Sequence, residues 1–296
     1  MATIKAKRGL DLPIHGAPTQ DAVEDRLDVK RVALLPQEFH GAKVRLLAQE
    51  GDDVRVGTPL FCDRRDEDVL FTSPVAGKVV AVNRGHRRAV LSLVVESNGS
   101  MDEEPSERVD VEAADADTIR GALACSGLWT AIRRRPFDQV ARTTDEPVGI
   151  VVQAFDSNPL SPDPGKLVEG RDADVLAGLK ALAKLTPGKV HLCTKDGRNV
   201  GRYVGDGTTV SAFKGPHPAG TPGFSIHKLC PAGAQRVAWH VGLQDVADIG
   251  RFLLHGKRPT ERVVAITGPA ATHPRHVRPR PGASLSELLA DQVEAE

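Results

Sequence analysis

Apolar residues recur along this chain in two rhythms, and the rhythm changes near residue 115. Between residues 44 and 95 they alternate with polar residues in short runs bounded by glycine. The run Glu50-Gly51-Asp52-Asp53-Val54-Arg55-Val56-Gly57-Thr58-Pro59-Leu60 reads as two short strands joined by a tight turn, and Ser73-Pro74-Val75-Ala76-Gly77-Lys78-Val79-Val80 repeats the scheme. Beyond residue 115 the spacing lengthens to that of helices alternating with buried strands. It predicts helices over 113–126, 172–185 and 243–254, with Val175, Leu179 and Leu182 on one face of the second and Val246, Ile249, Leu253 and Leu254 on one face of the third. Pro187 and Gly188 stop the second helix. Strands fall at 148–152, 189–193, 208–213 and 262–266, so strand, helix, strand implies a mainly parallel sheet covered by helices. Near the end, Ser284 followed by Glu287 predicts a capping box.

The fold class is therefore mixed α/β, in five stretches. Residues 1–30 form an extended lead-in, punctuated by Gly9, Pro13, Gly16 and Pro18 too often for regular structure. A β-rich domain covers 31–97, a polar and acidic linker 98–112, an α/β domain 113–258, and a closing segment 259–296. The 31–97 block has the pattern of a lipoyl or biotinyl carrier, a barrel-sandwich fold. In such carriers a hairpin tip presents the lysine that holds the prosthetic group. Here that segment reads Cys62-Asp63-Arg64-Arg65-Asp66-Glu67-Asp68, and a guanidinium cannot become the neutral amine that amide formation requires. The resemblance thus implies the fold without its chemistry.

Charge narrows the function classes. Lys plus Arg and Asp plus Glu each total 39, so no global field recruits nucleic acid or an acidic membrane. The arginines are clustered even so: Arg133, Arg134 and Arg135 are consecutive, Arg87 and Arg88 follow His86, and Arg275, Arg278 and Arg280 surround His273 and His276. They read as solvated edges, with docking on an acidic partner as the alternative. Cys62, Cys125, Cys193 and Cys230 stand singly, which speaks against an iron-sulfur or zinc site; His227 with Cys230, and His273 with His276, read as unrelated loop residues. No metal site is expected. Without a signal-peptide core or a span of about 18 apolar residues, the chain reads as soluble and cytoplasmic with reduced thiols.

No motif announces a reaction. Gly205-Asp206-Gly207-Thr208-Thr209-Val210 lacks a third glycine and runs into a strand, so it reads as a turn. There is no G-x-x-x-x-G-K-[ST], G-x-S-x-G or H-E-x-x-H.

Four strings in order carry a family resemblance: Lys7-Arg8-Gly9-Leu10-Asp11-Leu12-Pro13-Ile14, the Ser73 to Val80 run above, Ser126-Gly127-Leu128-Trp129-Thr130, and Gly215-Pro216-His217-Pro218-Ala219-Gly220. Together they resemble the A subunit of the sodium-translocating NADH:quinone oxidoreductases, over essentially the whole chain. The central region more distantly resembles the flavin-binding subunit of respiratory complex I and the electron-transport C subunits, which implies a Rossmann-like domain. Where those relatives wrap a flavin phosphate in a glycine-rich loop, Gly127, Leu128, Trp129 and Thr130 stand here, with Ile132 beyond, and side chains should fill the pocket. Their acidic segment appears as Ala154-Phe155-Asp156-Ser157-Asn158-Pro159-Leu160. Residues 263–270 and 282–285 look like the entry to a soluble ligand-binding β-grasp module. Since members of that family usually continue past this point, the module is expected to be truncated.

The resemblance implies a peripheral cytoplasmic subunit, held at the inner membrane by partners in a six-subunit assembly that includes a membrane subunit. That assembly uses NAD, FAD, FMN, iron-sulfur centres and ubiquinone to pass electrons from NADH to ubiquinone while Na+ leaves the cell, and its flavins and iron-sulfur centres are held elsewhere. The chain itself is expected to have no catalytic residue and no cofactor, and to act as scaffold with a possible quinone contact. Asn158, His217 and Trp239 supply the amide, imidazole and indole donors for quinone carbonyls. The alternatives are a stand-alone flavin- or NADH-binding oxidoreductase and a free-standing carrier modified near Arg64 or Arg65.

Overall fold

The computed structural model describes residues 3–18, 22–196, 203, 205–290 and 292–293. In the first third the strands are β1 (Thr3–Lys5), β2 (Val23–Arg26), β3 (Arg31–Leu34), β4 (Val44–Leu46), β5 (Asp53–Val54), β6 (Pro59–Asp63), β7 (Asp66–Thr72), β8 (Gly77–Arg84) and β9 (Val90–Ser97). Then come α1 (Ala116–Ser126), β10 (Arg133–Arg135), β11 (Gln139–Val140), β12 (Ile150–Ala154), α2 (Pro164–Leu167), α3 (Asp172–Lys184), β13 (Val190–Lys195), β14 (Thr208–Lys214), α4 (Pro222–Leu229), β15 (Ala238–Gly242) and α5 (Leu243–His255). β16 (Val264–Ile266), β17 (Arg275–Pro279) and α6 (Leu285–Leu288) follow. The chain divides into two interleaved units: residues 1–13 with 106–257, and residues 14–105 with 258–296.

The second of these units holds the sandwich. One sheet runs β3-β9-β8-β5 and the other β4-β6-β7. β5 and β6 are the two short strands expected around Gly57, but they do not pair with each other: β5 pairs with β8 and β6 with β4 and β7. The turn between them, with Gly57 at φ +90°, carries the chain from one sheet to the other. The repeat at Ser73 does the same in reverse, and the two crossovers bond through Gly57 N to Ser73 O (2.8 Å) and Ser73 N to Thr58 O (2.9 Å). Leu60, Phe61, Phe71, Val79, Leu93 and Val95 are buried. Phe61 and Phe71 stack with centroids 4.6 Å apart, and each such side chain removed from water contributes about 2–3 kcal/mol. The hairpin tip is Arg64 and Arg65, held by Asp63 Oδ1, which accepts from Arg65 N at 3.0 Å.

The lead-in differs from its expectation. β1 joins the sheet of the other unit and β2 pairs in parallel with β17. Strands of three and four residues fit between the glycines and prolines of this stretch. Residues 1–2 and 19–21 of that stretch lie outside the described residues. The linker too is pinned: Val56 N donates to Asp102 O (2.9 Å), Glu104 N to Val56 O (2.8 Å), and Arg258 N to Glu103 Oε1 (2.8 Å). The capping box is not formed. Ser284 is the N-cap of α6 but makes no capping bond. Glu287 Oε2 instead accepts from Lys30 N at 2.7 Å, a bond across 257 residues that a local pattern cannot show.

In the α/β unit a seven-stranded sheet runs β1-β14-β13-β12-β15-β10-β11. The first five strands are mutually parallel, β10 pairs antiparallel with β15, and β11 pairs antiparallel with β10. Its face bearing Val151, Cys193, Phe213 and Ala238 packs against Ile226 of α4. Alternate residues Ile150, Val152, Leu192, Trp239 and Val241 are buried as well, so both faces are covered. α3 and α5 pack closely because Gly178 and Gly250 bring their backbones together: a Cβ on Gly250 would lie 1.8 Å from Asp174 O.

Candidate functional site at the carboxyl edge of the parallel sheet

In open parallel sheets ligands bind beyond the carboxyl ends of the strands. Here three loops meet at that edge, those following β1, β12 and β14. The loop after β14 carries Gly215-Pro216-His217-Pro218-Ala219-Gly220, and its glycines permit close approaches. A Cβ on Gly215 (φ +123°) would lie 2.4 Å from Ala6 O, and one on Gly220 would lie 2.5 Å from Ser157 N. The loop after β1 closes from the other side: Leu10 N donates to His217 O (3.1 Å) and His217 N to Asp11 Oδ1 (3.0 Å). The first and last of the strings read from the sequence are thus one structure.

Half-buried His217 is oriented by Ser157. Its Nδ1 lies 3.1 Å from Ser157 Oγ and 3.2 Å from Ser157 O. Gly220 N donates to the same Oγ at 2.9 Å, and Gln153 Nε2 donates to Gly220 O at 2.8 Å. Asn158 sits next in the chain, exposed. One of its amide hydrogens goes to Asp156 Oδ1 at 2.8 Å, which also accepts from Asn158 N at 2.8 Å, while Ser161 Oγ bonds Asp156 Oδ2 at 2.8 Å. Asn158 thus stands one residue beyond the Ser157 that bonds His217, with its own amide turned to Asp156. Trp239 is elsewhere: on β15 it is 0% exposed, its ring edge-on to Trp129 at 5.4 Å, and its indole N–H meets no acceptor. Sequence reading missed Ser157, Asp11 and Gln153. Only the glycines at 9, 215 and 220 signalled the close approaches that assemble them.

At the segment set against the flavin loop, Gly127 is left-handed (φ +87°) and caps α1, and residues Leu128–Ala131 form a 3-10 turn. Trp129 and Ile132 are fully buried, and Trp129 Nε1 donates to Ala141 O at 2.7 Å. Thr130 Oγ1 donates back to Gly127 O at 2.8 Å. A run of bare amides that could receive a phosphate is not what these residues build, and they do not fit a flavin phosphate.

Titratable groups away from the edge are shaped by burial. It lifts the Cys193 thiol to about 12 and that of Cys230 to about 11, far from thiolates at neutral pH. It lowers His191, with Lys189 adding to the effect. His240 is lowered as well, by burial first, against a hydrogen bond to Asp138 (2.9 Å) that favours its charged form. Burial would raise Asp138, but the His240 bond and the nearby Arg135 and Arg133 outweigh it and hold the carboxyl low. Among the described residues no group of three or more His, Cys, Asp or Glu could hold a metal ion, and no helix is long and apolar enough to cross a membrane.

A carrier-type sandwich without its lysine, joined to a parallel α/β domain with a polar carboxyl edge, defines the class. Three models of one family tile it: the NqrA N-terminal barrel-sandwich hybrid domain matches residues 4–98, the NqrA second alpha/beta domain residues 114–258, and the NQRA C-terminal domain residues 263–296. Similar relatives each carry the name of the A subunit of the Na(+)-translocating NADH-quinone reductase. That of Saccharophagus degradans is 42% identical over 292 residues, covering 98% of this chain and 65% of the relative. That of Yersinia pestis is 42% identical over 293 residues, with the same two shares, and that of Hahella chejuensis 41% over 294 residues, 99% of this chain and 66% of the relative. The chain belongs to the NqrA family. It spans about two thirds of the length of these curated relatives, 65% in the first.

Proposed function

We propose that this chain is the scaffold portion of the NqrA subunit in a Na+-translocating NADH:quinone reductase, and that its carboxyl-edge cluster contacts the quinone headgroup. In this reading the Rossmann-like α/β domain and the start of a β-grasp module are peripheral and cytoplasmic, held at the membrane by other subunits. NAD, FAD, FMN and iron-sulfur centres belong to those subunits, and this chain carries no redox centre of its own. Burial of Trp129 where a flavin would need open backbone supports that last point.

The observation that carries the quinone reading is the position of Ser157 against His217. Gly220 N–H occupies one lone pair of Ser157 Oγ, so the hydroxyl hydrogen can go to His217 Nδ1. Nε2 then bears the hydrogen and can donate to a quinone carbonyl. In the other tautomer Nδ1–H donates to Ser157 O, and Nε2 becomes an acceptor for a quinol hydroxyl. Either redox form of the headgroup is met without turning the ring. Trp239 plays no part, because it is sealed in the core.

Calorimetric titration of the purified protein with a short-chain ubiquinone tests this. Saturable binding, weakened about tenfold or more in His217→Ala at an unchanged melting temperature, is the expected result. Absence of saturable heat in the unmodified protein refutes the quinone contact. A rise in melting temperature with flavin mononucleotide or NADH would favour the stand-alone oxidoreductase instead.

A further inference from the structure

The hairpin of β10 and β11 has a composition that the edge cluster does not use. Its tip, Pro136-Phe137-Asp138, places Phe137 62% exposed, the sole exposed Phe, Tyr or Trp ring among the described residues. The tip is held in one geometry. Asp138 is left-handed (φ +55°), its Oδ1 lies 2.9 Å from His240 Nε2, and Arg135 Nε ion-pairs with it at 3.5 Å. Register puts Arg133 opposite His240 and Arg135 opposite Ala238, so both guanidiniums share the His240 face of the strand. Arg134 turns to the opposite face, where it pairs with Asp145 at 3.3 Å. Two arginines thus flank the Asp138 carboxylate on the His240 face.

An exposed aromatic on a rigid tip, with half-buried arginines on the strand behind it, is the composition of an interface anchor: aromatic rings and Arg dominate binding energy where they fill a recess, and a pre-organised loop loses little entropy on docking. The geometry points to the hairpin Arg133 to Val140 as a docking anchor for another subunit of the assembly, one offering an apolar recess for Phe137 with carboxylates around it. Two guanidiniums against the single Asp138 carboxylate leave this face net positive, and the acidic character of that partner complements it. The inference rests on the accessory-subunit reading above.

The test uses the full-length subunit in the assembled complex, with a photo-crosslinking residue at position 137 and a control at Leu47, which is 46% exposed in the other unit. A crosslink from position 137, absent from the control, to an acidic stretch of another subunit is the expected result. Phe137→Ala should weaken rebinding about tenfold or more to complex stripped of this subunit, without changing its own melting temperature. Arg135→Glu should weaken it as well and flatten its salt dependence. If the subunit still assembles but position 137 crosslinks only to its own chain or to nothing, the docking anchor is refuted and the accessory reading stands. If the unmodified subunit does not rebind at all, the accessory reading fails and the anchor with it.

Discussion

Two loops of the α/β unit are marked by glycine in the sequence and use it to opposite ends. At Gly127 the glycine only ends a helix, and the residues behind it, Trp129 and Ile132, go into the core. At His217 the flanking glycines let three backbones close to within hydrogen-bonding distance, and the residue between them stays half-exposed among polar groups. Glycine beside bulk therefore marks a packed joint, and glycine repeated around a polar residue marks a built edge. A glycine count alone cannot tell these apart; the neighbours can.

The comparison breaks most visibly at the packed joint. Trp129→Ala empties the space against Trp239 and should cost about 3–5 kcal/mol in denaturant unfolding, with no gain of flavin affinity. Recovery of tight flavin binding in that variant would mean the joint is a plugged cofactor site. At the edge, Gly220→Ala forces a Cβ to within 2.5 Å of Ser157 N. It should cost about 1–3 kcal/mol and disturb His217 more than the core, which the His217 ring resonances would report. Ser157→Ala leaves the buried Gly220 N–H without its acceptor, for about 1–2 kcal/mol, and removes the hydroxyl that supports one tautomer of His217. Ubiquinone affinity should fall while the quinol form is held better than the quinone. Equal loss of both would sink the two-tautomer account.

The smallest effect is in pH. His240 and His191 are lowered from the ordinary 6.5, so the unfolded chain takes up protons first as pH falls. Their contribution to stability is full above 6.5 and is lost as pH drops toward the folded values. Melting curves between pH 7.5 and 5.5 should show this decline, at most about 1.4 kcal/mol per pH unit for each proton, and His240→Gln should remove its share. An unchanged slope in that variant would place the titration elsewhere.

Much of the α/β unit could be read from sequence because its signals are local. Val175, Leu179 and Leu182 mark α3 at helical spacing, and α3, α5, β13 and β14 fall within a residue or two of their expected bounds. What escaped depends on partners far along the chain. β1 is three residues whose partner Ala212 to Lys214 lies some two hundred residues on. Glu287 had a nearer use in prospect and bonds Lys30 instead. Asn158 and His217 are candidates on their side-chain chemistry alone, while the residue that orients the imidazole, Ser157, carries no pattern of its own. Trp239 has a ligand's donor, but the sequence does not show which way it faces; on β15, between Arg134 and Ile150, it is buried against Trp129.

The interleaving of the units has a consequence for biogenesis. Thr3 to Lys5 are made before the sandwich unit but find their neighbour only after Lys214 has been made, and the sandwich unit, begun at residue 14, receives β16 and β17 later still. Neither half can be completed while the other is missing from the nascent chain. A tag fused at the amino end would therefore burden the border strand of the α/β unit, not the sandwich that follows it in translation.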